Sequence, residues 1–393
     1  MKKIYIITRF LSHGGVEKIV CNLSNLFVDM DYDVEILCTY YVGEPVYYLN
    51  NKVKVTYLIN ESPKIIPSLK ARLKSIYVTR PNSYEEVLNH ISLIKIINGF
   101  YTKRSQSYLY KKAIVENIKN IENSTVISTI NSEAKLISRY AKNNNKLIAQ
   151  LHSDHKLIKG FFKDVKYKYK NIDYLLLLSE ELRGEVEAEL ADYKRNFKCL
   201  TVPNFIVSKD DLNNIERKEQ IISVGRLSPE KGFDRLLFIW KKFLVKNKSY
   251  ILKIVGDGPE KEKLIQLAKS LSINDSVIFT GYLSNDEAVK EIRKSKVYVM
   301  TSMYEALPMV LLEAINQGTP IVAYDVRVGP RSIIKDGYNG FLVKENDIKS
   351  FVEKLEILSK EDEVYNSMSR NAIVSSELYS EEKIKEIWLN ILS

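Results

Sequence analysis

Cysteine is scarce in this chain of 393 residues: Cys21, Cys38 and Cys199 lie far apart, are odd in number and form no C-x-x-C pair. A disulfide-stapled fold is excluded, no zinc or dithiol motif is present, and a reducing, cytoplasmic setting fits best. No apolar run reaches the ~18 residues of a membrane-spanning helix. The start, Met1 to Phe10, holds two lysines and only a few apolar residues before Arg9, so neither export nor a membrane span is expected. Internal repeats and low-complexity tracts are missing. So is the dinucleotide fingerprint G-x-G-x-x-G, and the second apolar strand ends in Cys38-Thr39-Tyr40 without an acid to hold a ribose. An NAD-dependent enzyme is therefore disfavoured.

What is present is globular. Hydrophobic residues make up 45% and charged residues 27%, which argues against disorder, collagen and coiled coil. The length exceeds the ~250 to 300 residues at which one core stops growing, so two domains are expected.

Charge is unevenly spread. Lys and Arg outnumber Asp and Glu by 31 to 21 in residues 1–200 and equal them at 28 each in residues 201–393, so the whole net charge of +10 lies in the first part. The stretch Lys64 to Asn120 holds eleven basic residues, among them Lys70, Arg72, Lys74, Lys103, Arg104, Lys111 and Lys112, against Glu85, Glu86 and Glu116. Interleaved with Ile65-Ile66, Leu69, Leu73 and Ile76-Tyr77, this charge suits an anionic membrane surface or a phosphate-rich acceptor. An ordinary solvated basic face is the competing reading. No recognition helix, zinc finger or RNA-binding signature accompanies it, so nucleic acid is not an expected partner.

Short apolar strands alternate with helical periodicity. Lys3 to Thr8, the helix Gly15 to Met30 (Val16, Ile19, Val20, Leu23, Leu26, Phe27) and Tyr32 to Cys38 form a βαβ unit. Strands follow at Thr125 to Ile130, Lys146 to Leu151 and Tyr174 to Leu178, interrupted by an insert at about 61–120. After Val202-Pro203-Asn204 and a polar stretch through Lys218, a second series begins: Ile221 to Val224, Ile251 to Val255, Val277 to Thr280, Lys296 to Met300 and Pro320 to Tyr324. The expected architecture is α/β, with two doubly wound, Rossmann-like domains facing across a cleft. Residues 1–203 form the first and 204–380 the second; 381–393 form a terminal helix that packs on either one.

Ligands of such sheets bind beyond the carboxyl ends of the strands, so candidate residues belong in the loops there. Gly14 and Gly15 open a helix, where backbone N–H groups favour a phosphate, although the turn alone explains such a pair. Arg226 and Lys231 stand five residues apart across one strand-to-helix loop and suit a diphosphate. Gly256 and Gly258, before Pro259, make a turn at the same end of the sheet and a wall for a nucleotide. In Tyr304-Glu305-Ala306-Leu307-Pro308-Met309-Val310-Leu311-Leu312-Glu313, Glu305 precedes a helix starting near Pro308 and Glu313 lies within it. A carboxylate amid Val310, Leu311, Leu312, Ala314 and Ile315 is costly to bury without partners such as sugar hydroxyls.

Over nearly the whole chain these motifs resemble glycosyltransferase family 4, retaining enzymes of the two-Rossmann GT-B fold. Glu305 to Glu313 is similar to the family's E-x7-E motif, and Arg226 with Lys231 to its diphosphate-binding pair. The resemblance implies that Glu313 binds the ribose, and that Glu305 with the backbone of Ala306, Leu307 and Pro308 holds the donor sugar. It also implies that the Gly14-Gly15 loop closes on the diphosphate and that His152 lies near the sugar. Ala306 replaces the family's common glycine, which leaves the sugar's identity open. Tyr324 to Pro330 is similar to a longer loop of members acting on bacterial surface polysaccharides and teichoic acids.

The implied reaction moves a hexose, with retention, from a nucleotide diphosphate sugar, UDP-linked in the first instance, to a hydroxyl of a lipid-linked saccharide or cell-surface polymer precursor. No carboxylate nucleophile is assigned, and the leaving phosphate takes the acceptor proton on the same face. Arg226 and Lys231 stabilise the charge that develops there. No Asp-x-Asp motif stands in a suitable loop, and His152 with His155 lacks a placed third ligand, so neither a metal nor another cofactor is expected. The expected location is the inner face of the cell membrane, as a peripheral protein. Two alternatives stay open: a nucleotide-sugar epimerase of the same architecture, for which no water-adding residues are identified, and a non-catalytic nucleotide-sugar-binding protein, against which Glu305 argues.

Overall fold

The computed structural model describes residues 2–60, 107–207 and 216–393. Among them, thirteen strands form two sheets. The seven-stranded sheet contains β1 (Lys3–Thr8), β2 (Asp33–Tyr40), β3 (Lys54–Ile59), β4 (Ser124–Ser128), β5 (Lys146–Gln150), β6 (Tyr174–Leu177) and β7 (Lys198–Thr201), in the order β3-β2-β1-β4-β5-β6-β7. The six-stranded sheet contains β8 (Lys218–Val224), β9 (Ile251–Val255), β10 (Val277–Gly281), β11 (Ser295–Met300), β12 (Ile321–Tyr324) and β13 (Gly340–Val343), in the order β10-β9-β8-β11-β12-β13. Its neighbours all pair in parallel. Parallel strands covered on both faces are buried along their whole length, and β2 has seven successive buried residues, Glu35 and Thr39 among them.

Local sequence explains the elements. In the helix Gly15–Asp29, Ile19, Val20, Leu23, Leu26 and Phe27 recur at helical spacing and are buried, as is the Ile4, Ile6, Ile7 set of β1. The second sheet is covered by the helices Phe233–Phe243 and Ile348–Lys360, where Trp240, Phe243 and Phe351 are fully buried.

The expected strands are present with shifted ends: β8 starts at Lys218 rather than Ile221, and β2 continues to Tyr40. Three strands were not anticipated. β3, β7 and β13 are all at sheet edges, where one-sided pairing permits short, partly exposed sequences such as the half-buried Lys54–Ile59. Of the basic insert, residues 61–106, including Lys70, Arg72, Lys74, Lys103 and Arg104, lie outside the described residues. The remainder holds a helix over 107–118 in which Tyr110, Ile114 and Ile118 are buried.

By packing, the chain divides into two compact units, Met1–Ile148 with Lys168–Asp173, and Ala149–Tyr167 with Tyr174–Ser393. The last helix, Glu381–Leu392, belongs to the second, where Ile206 and Ser380 form an isolated bridge. No helix among the described residues is long and apolar enough to cross a membrane.

Candidate active site

Strand order turns back between β1 and β4 in the first sheet and between β8 and β11 in the second. Connections leave such neighbours toward opposite faces, and the gap beyond their carboxyl ends is where doubly wound sheets hold ligands. In the second unit the loops leaving β8 and β11 flank that gap. They carry Arg226, Lys231 and Glu305, and the helix Met309–Asn316 that follows carries Glu313.

Backbone contacts shape the β8 loop. Leu227 N–H donates to Asp257 O at 2.9 Å and Glu260 N–H to Leu227 O at 2.9 Å. A Cβ on Gly256, whose φ is 136°, would lie 2.0 Å from Gly225 O, and one on Gly258 would lie 2.5 Å from Leu227 O. Both glycines are needed for this close approach, which docks the β9 loop onto the loop holding Arg226. Lys231 ends the single turn Pro229–Lys231, and Gly232 follows at φ 64° with its Cα packed on Thr301 O. Thr301 Oγ1 donates to Gly232 O at 2.8 Å and Met303 N–H to Glu230 O at 2.8 Å, so the β8 and β11 loops are tied together.

This tie sets Lys231 Nζ 2.7 Å from Glu305 Oε1, with the Glu305 side chain only 10% exposed. Arg226 is directed outward, 73% exposed, with Glu230 as its partner at 3.5 Å. The two cations therefore each face a different carboxylate. Glu313 is buried in the second turn of its helix, whose N-terminus, at Pro308, has no side-chain cap.

Sequence reasoning passed over Tyr298. It is fully buried in β11; its hydroxyl accepts from Val224 N–H at 3.2 Å and donates to Val224 O at 3.1 Å. Ladder pairing between β8 and β11 ends at Ile222, so the phenol supplies the bonds that a strand neighbour would have given Val224. Burial raises its pKa, the bond to Val224 acts the other way, and nearby Glu313 and Glu305 raise it further, which keeps the phenol neutral. An apolar strand with one central tyrosine was the available signal.

His152 follows β5, and its Nε2 is buried with no hydrogen-bond partner. Burial pushes its pKa down to about 4, with Asn204 acting the other way, so the ring is neutral near pH 7. Asn204, which follows β7 and acts on His152, donates from Nδ2 to Leu307 O at 3.0 Å, so it stands between the histidine and the Glu305–Pro308 segment within the second unit. Gly329, at φ 93°, also packs on that segment: a Cβ there would lie 2.8 Å from Glu305 Cβ.

The first unit holds Gly14 and Gly15. Gly14 N–H donates to Tyr47 Oη at 3.3 Å, and the Glu17 carboxylate lies over the Gly14 Cα, as the helix dipole favours at an N-terminus. The same end of that sheet carries Glu133, fully buried, accepting from Tyr110 Oη at 3.3 Å and Thr129 N–H at 3.4 Å. Among the described residues no group of three or more His, Cys, Asp or Glu is placed to hold a metal ion.

Residues 205–374 match the family Glycosyl transferases group 1. The chain is 30% identical over 403 residues, covering all of both chains, to an uncharacterized glycosyltransferase of Haemophilus influenzae. It is 27% identical over 408 residues, covering all of this chain and 99% of the other, to the amylovoran biosynthesis glycosyltransferase AmsD of Erwinia amylovora. Its fold is similar to that of a TarM mutant from S. aureus, crystallised with Fondaparinux, alpha-GlcNAc-glycerol and UDP: TM-score 0.78, 17% identity, all of both chains covered. That likeness assigns the two sheets to the GT-B class of Rossmann-like domains.

Proposed function

The chain belongs to the group 1 glycosyltransferases, and on that premise we propose that it is a retaining enzyme of family 4. It moves a hexose from UDP to a hydroxyl of a lipid-linked saccharide or cell-surface polymer precursor. The observation that carries this reading is the contact of Lys231 with Glu305 beside the β8–β11 gap, with Glu313 buried in the adjoining helix. AmsD is named for amylovoran biosynthesis and the TarM structure contains UDP with a glycosylated glycerol, which supports donor and acceptor class alike.

In this reading Arg226 and Lys231 face the diphosphate, Gly256 and Gly258 form the nucleotide wall, and Glu313 holds the ribose. Glu305 and the backbone of Ala306, Leu307 and Pro308 bind the hexose, with neutral His152 beside it. Gly14 and Gly15, at the start of the helix Gly15–Asp29, are assigned to the diphosphate. The bond from the anomeric carbon to phosphate breaks while that to the acceptor oxygen forms on the same face. The acceptor proton passes to the departing phosphate. Charge accumulates on the diphosphate, so protein cations rather than a metal lower the barrier. The basic segment around Lys70, Arg72 and Lys74 holds the protein at the inner membrane face, each cation contributing about 1 kcal/mol near anionic lipid.

Thermal unfolding with UDP, GDP, ADP and NAD tests the site. A ligand at 100 times its Kd stabilises by about 2.7 kcal/mol. The expected result is selective stabilisation by UDP, lost in Glu313→Ala and Arg226→Ala. Stabilisation by NAD, or by none of the four, overturns the reading.

A further inference from the structure

The loop from Tyr324 to Pro330 holds one side chain that the proposed chemistry does not use. Arg327 Nε donates to Asp154 Oδ2 at 2.9 Å, and its Nη2 bonds Asp154 Oδ1, forming a two-pronged pair. Its remaining nitrogen, Nη1, donates to Glu185 Oε1 at 2.7 Å and Oε2 at 2.6 Å. Asp154 is 4% exposed. A carboxylate so buried is stable only with its cation in place, and a guanidinium fork fixes direction as well as charge. His155, ringed by Asp154, Glu185, Phe161 and Phe162, completes the packing.

Both ends of this contact are rigid and both lead to the candidate site. Val326 and Val328, on either side of Arg327, are 3% and 1% exposed, and Gly329 next to them abuts Glu305, Ala306 and Pro308. Asp154 lies two residues after His152; it also caps the turn His155–Leu157 by accepting from Lys156 N–H at 2.9 Å. On the other side of His152, Leu151 N–H donates to Leu176 O at 2.9 Å. The histidine is thus held between an extension of the sheet and an ion pair that reaches the loop packed on Glu305.

We propose that Arg327 is a positioning residue: through its paired bonds to Asp154 and Glu185 it fixes the His152 loop against the segment carrying Glu305, so that the ring and the carboxylate meet the same donor sugar. The inference rests on the glycosyltransferase reading for its kinetic consequence but not for its structural one.

The test combines Arg327→Met, Arg327→Lys, Asp154→Asn and the double variant Arg327→Met with Asp154→Asn. Asparagine keeps the oxygen that caps Lys156 and removes only the charge. Ring-labelled histidine NMR of the nucleotide-free protein is the first readout. In Arg327→Met the His152 resonance shifts and its pKa rises from about 4 toward the ordinary 6.5, because the loop opens to water. Steady-state transfer from a UDP-sugar is the second. The expected result is kcat lowered at least ~10-fold in Arg327→Met, with donor KM within ~2-fold, Arg327→Lys intermediate, and the double variant no worse than either single change. An unmoved His152 signal overturns the proposal. So do additive kinetic losses, or a kcat loss that only follows a fall in Tm and is not eased by lysine. Absence of transfer by the unaltered protein with any UDP-sugar instead overturns the function, and the NMR result stands apart from it.

Discussion

Lys231 Nζ lies 2.7 Å from Glu305 Oε1. The cation proposed for the diphosphate and the carboxylate proposed for the sugar are thus paired with each other. Each keeps the other neutralised and oriented in a site where a lone Glu305 carboxylate, 10% exposed, would be costly.

Glu305→Gln separates the two roles. Loss of the negative charge frees Lys231, and bare UDP is expected to bind several-fold tighter, while transfer falls at least ~10-fold because the sugar loses its charged acceptor. Calorimetric titration with UDP beside an initial-rate assay checks both. Weaker UDP binding would show that Glu305 supports the nucleotide rather than competing for its cation.

Tyr298→Phe removes one oxygen and takes from the part-buried Val224 N–H and C=O the hydroxyl that both bond. The expected cost is about 1 to 3 kcal/mol, read as a fall in Tm, together with weaker UDP binding, because Val224 directs the chain into Gly225 and Arg226. Unchanged UDP affinity in a destabilised variant would limit Tyr298 to the core.

Gly256→Ala places a Cβ 2.0 Å from Gly225 O at φ 136°. More than about 2 kcal/mol of stability should be lost, with UDP affinity falling in step as the β8 loop is displaced. Gly337→Ala is the comparison: its φ of 73° is also positive but nothing lies within 4 Å of the new Cβ, so only about 1 kcal/mol of backbone strain is expected. Denaturant midpoints rank the two, and equal losses would contradict the close approach.

Glu133 governs a pH effect. Burial pushes its pKa from 4.5 to about 8, against bonds from Thr129 and Tyr110 and the nearby charge of Arg9. Because the folded value is raised, the folded chain keeps a proton between pH 4.5 and 8 that the unfolded chain releases, and stability is lost as pH rises through that window. Glu133→Gln, neutral throughout, is expected to be more stable than the parent by on the order of 4 kcal/mol at pH 8 and about equal to it at pH 4.5. Urea denaturation at the two pH values decides it. A less stable variant at pH 8 would mean that the carboxylate is ionised in the fold.

The two series of alternating elements were legible because their signals are local. Apolar runs of four to eight residues and helical spacing mark β1, β9 and the helix Gly15–Asp29 almost to the residue. Edge strands were only partly legible: β10 was marked at Val277 to Thr280, whereas the partly exposed β3 and the four-residue β7 and β13, which pair on one side only, were not. Within the candidate site, the loops and the glycines could be named in advance, as could the burial of Glu313 in its apolar run. The partners could not. On the sequence Arg226, directly after an apolar strand and a glycine, stood out and Lys231 could be read as solvated, yet Arg226 is exposed beside Glu230 and Lys231 is set on Glu305.

Hydrophobic period and turn residues act over a few positions, so two βα series and the loops that lie beyond strand ends are encoded locally. Which of those loops become neighbours depends on long-range packing. Lys231 and Glu305 are 74 residues apart, and Arg327 and Asp154 are 173 apart. They meet because strand order places β8 beside β11 and the packing of the second unit brings the β5 and β12 loops together. That order is chosen by the burial of whole sheets and helices, a sum over the core that no local stretch of residues contains.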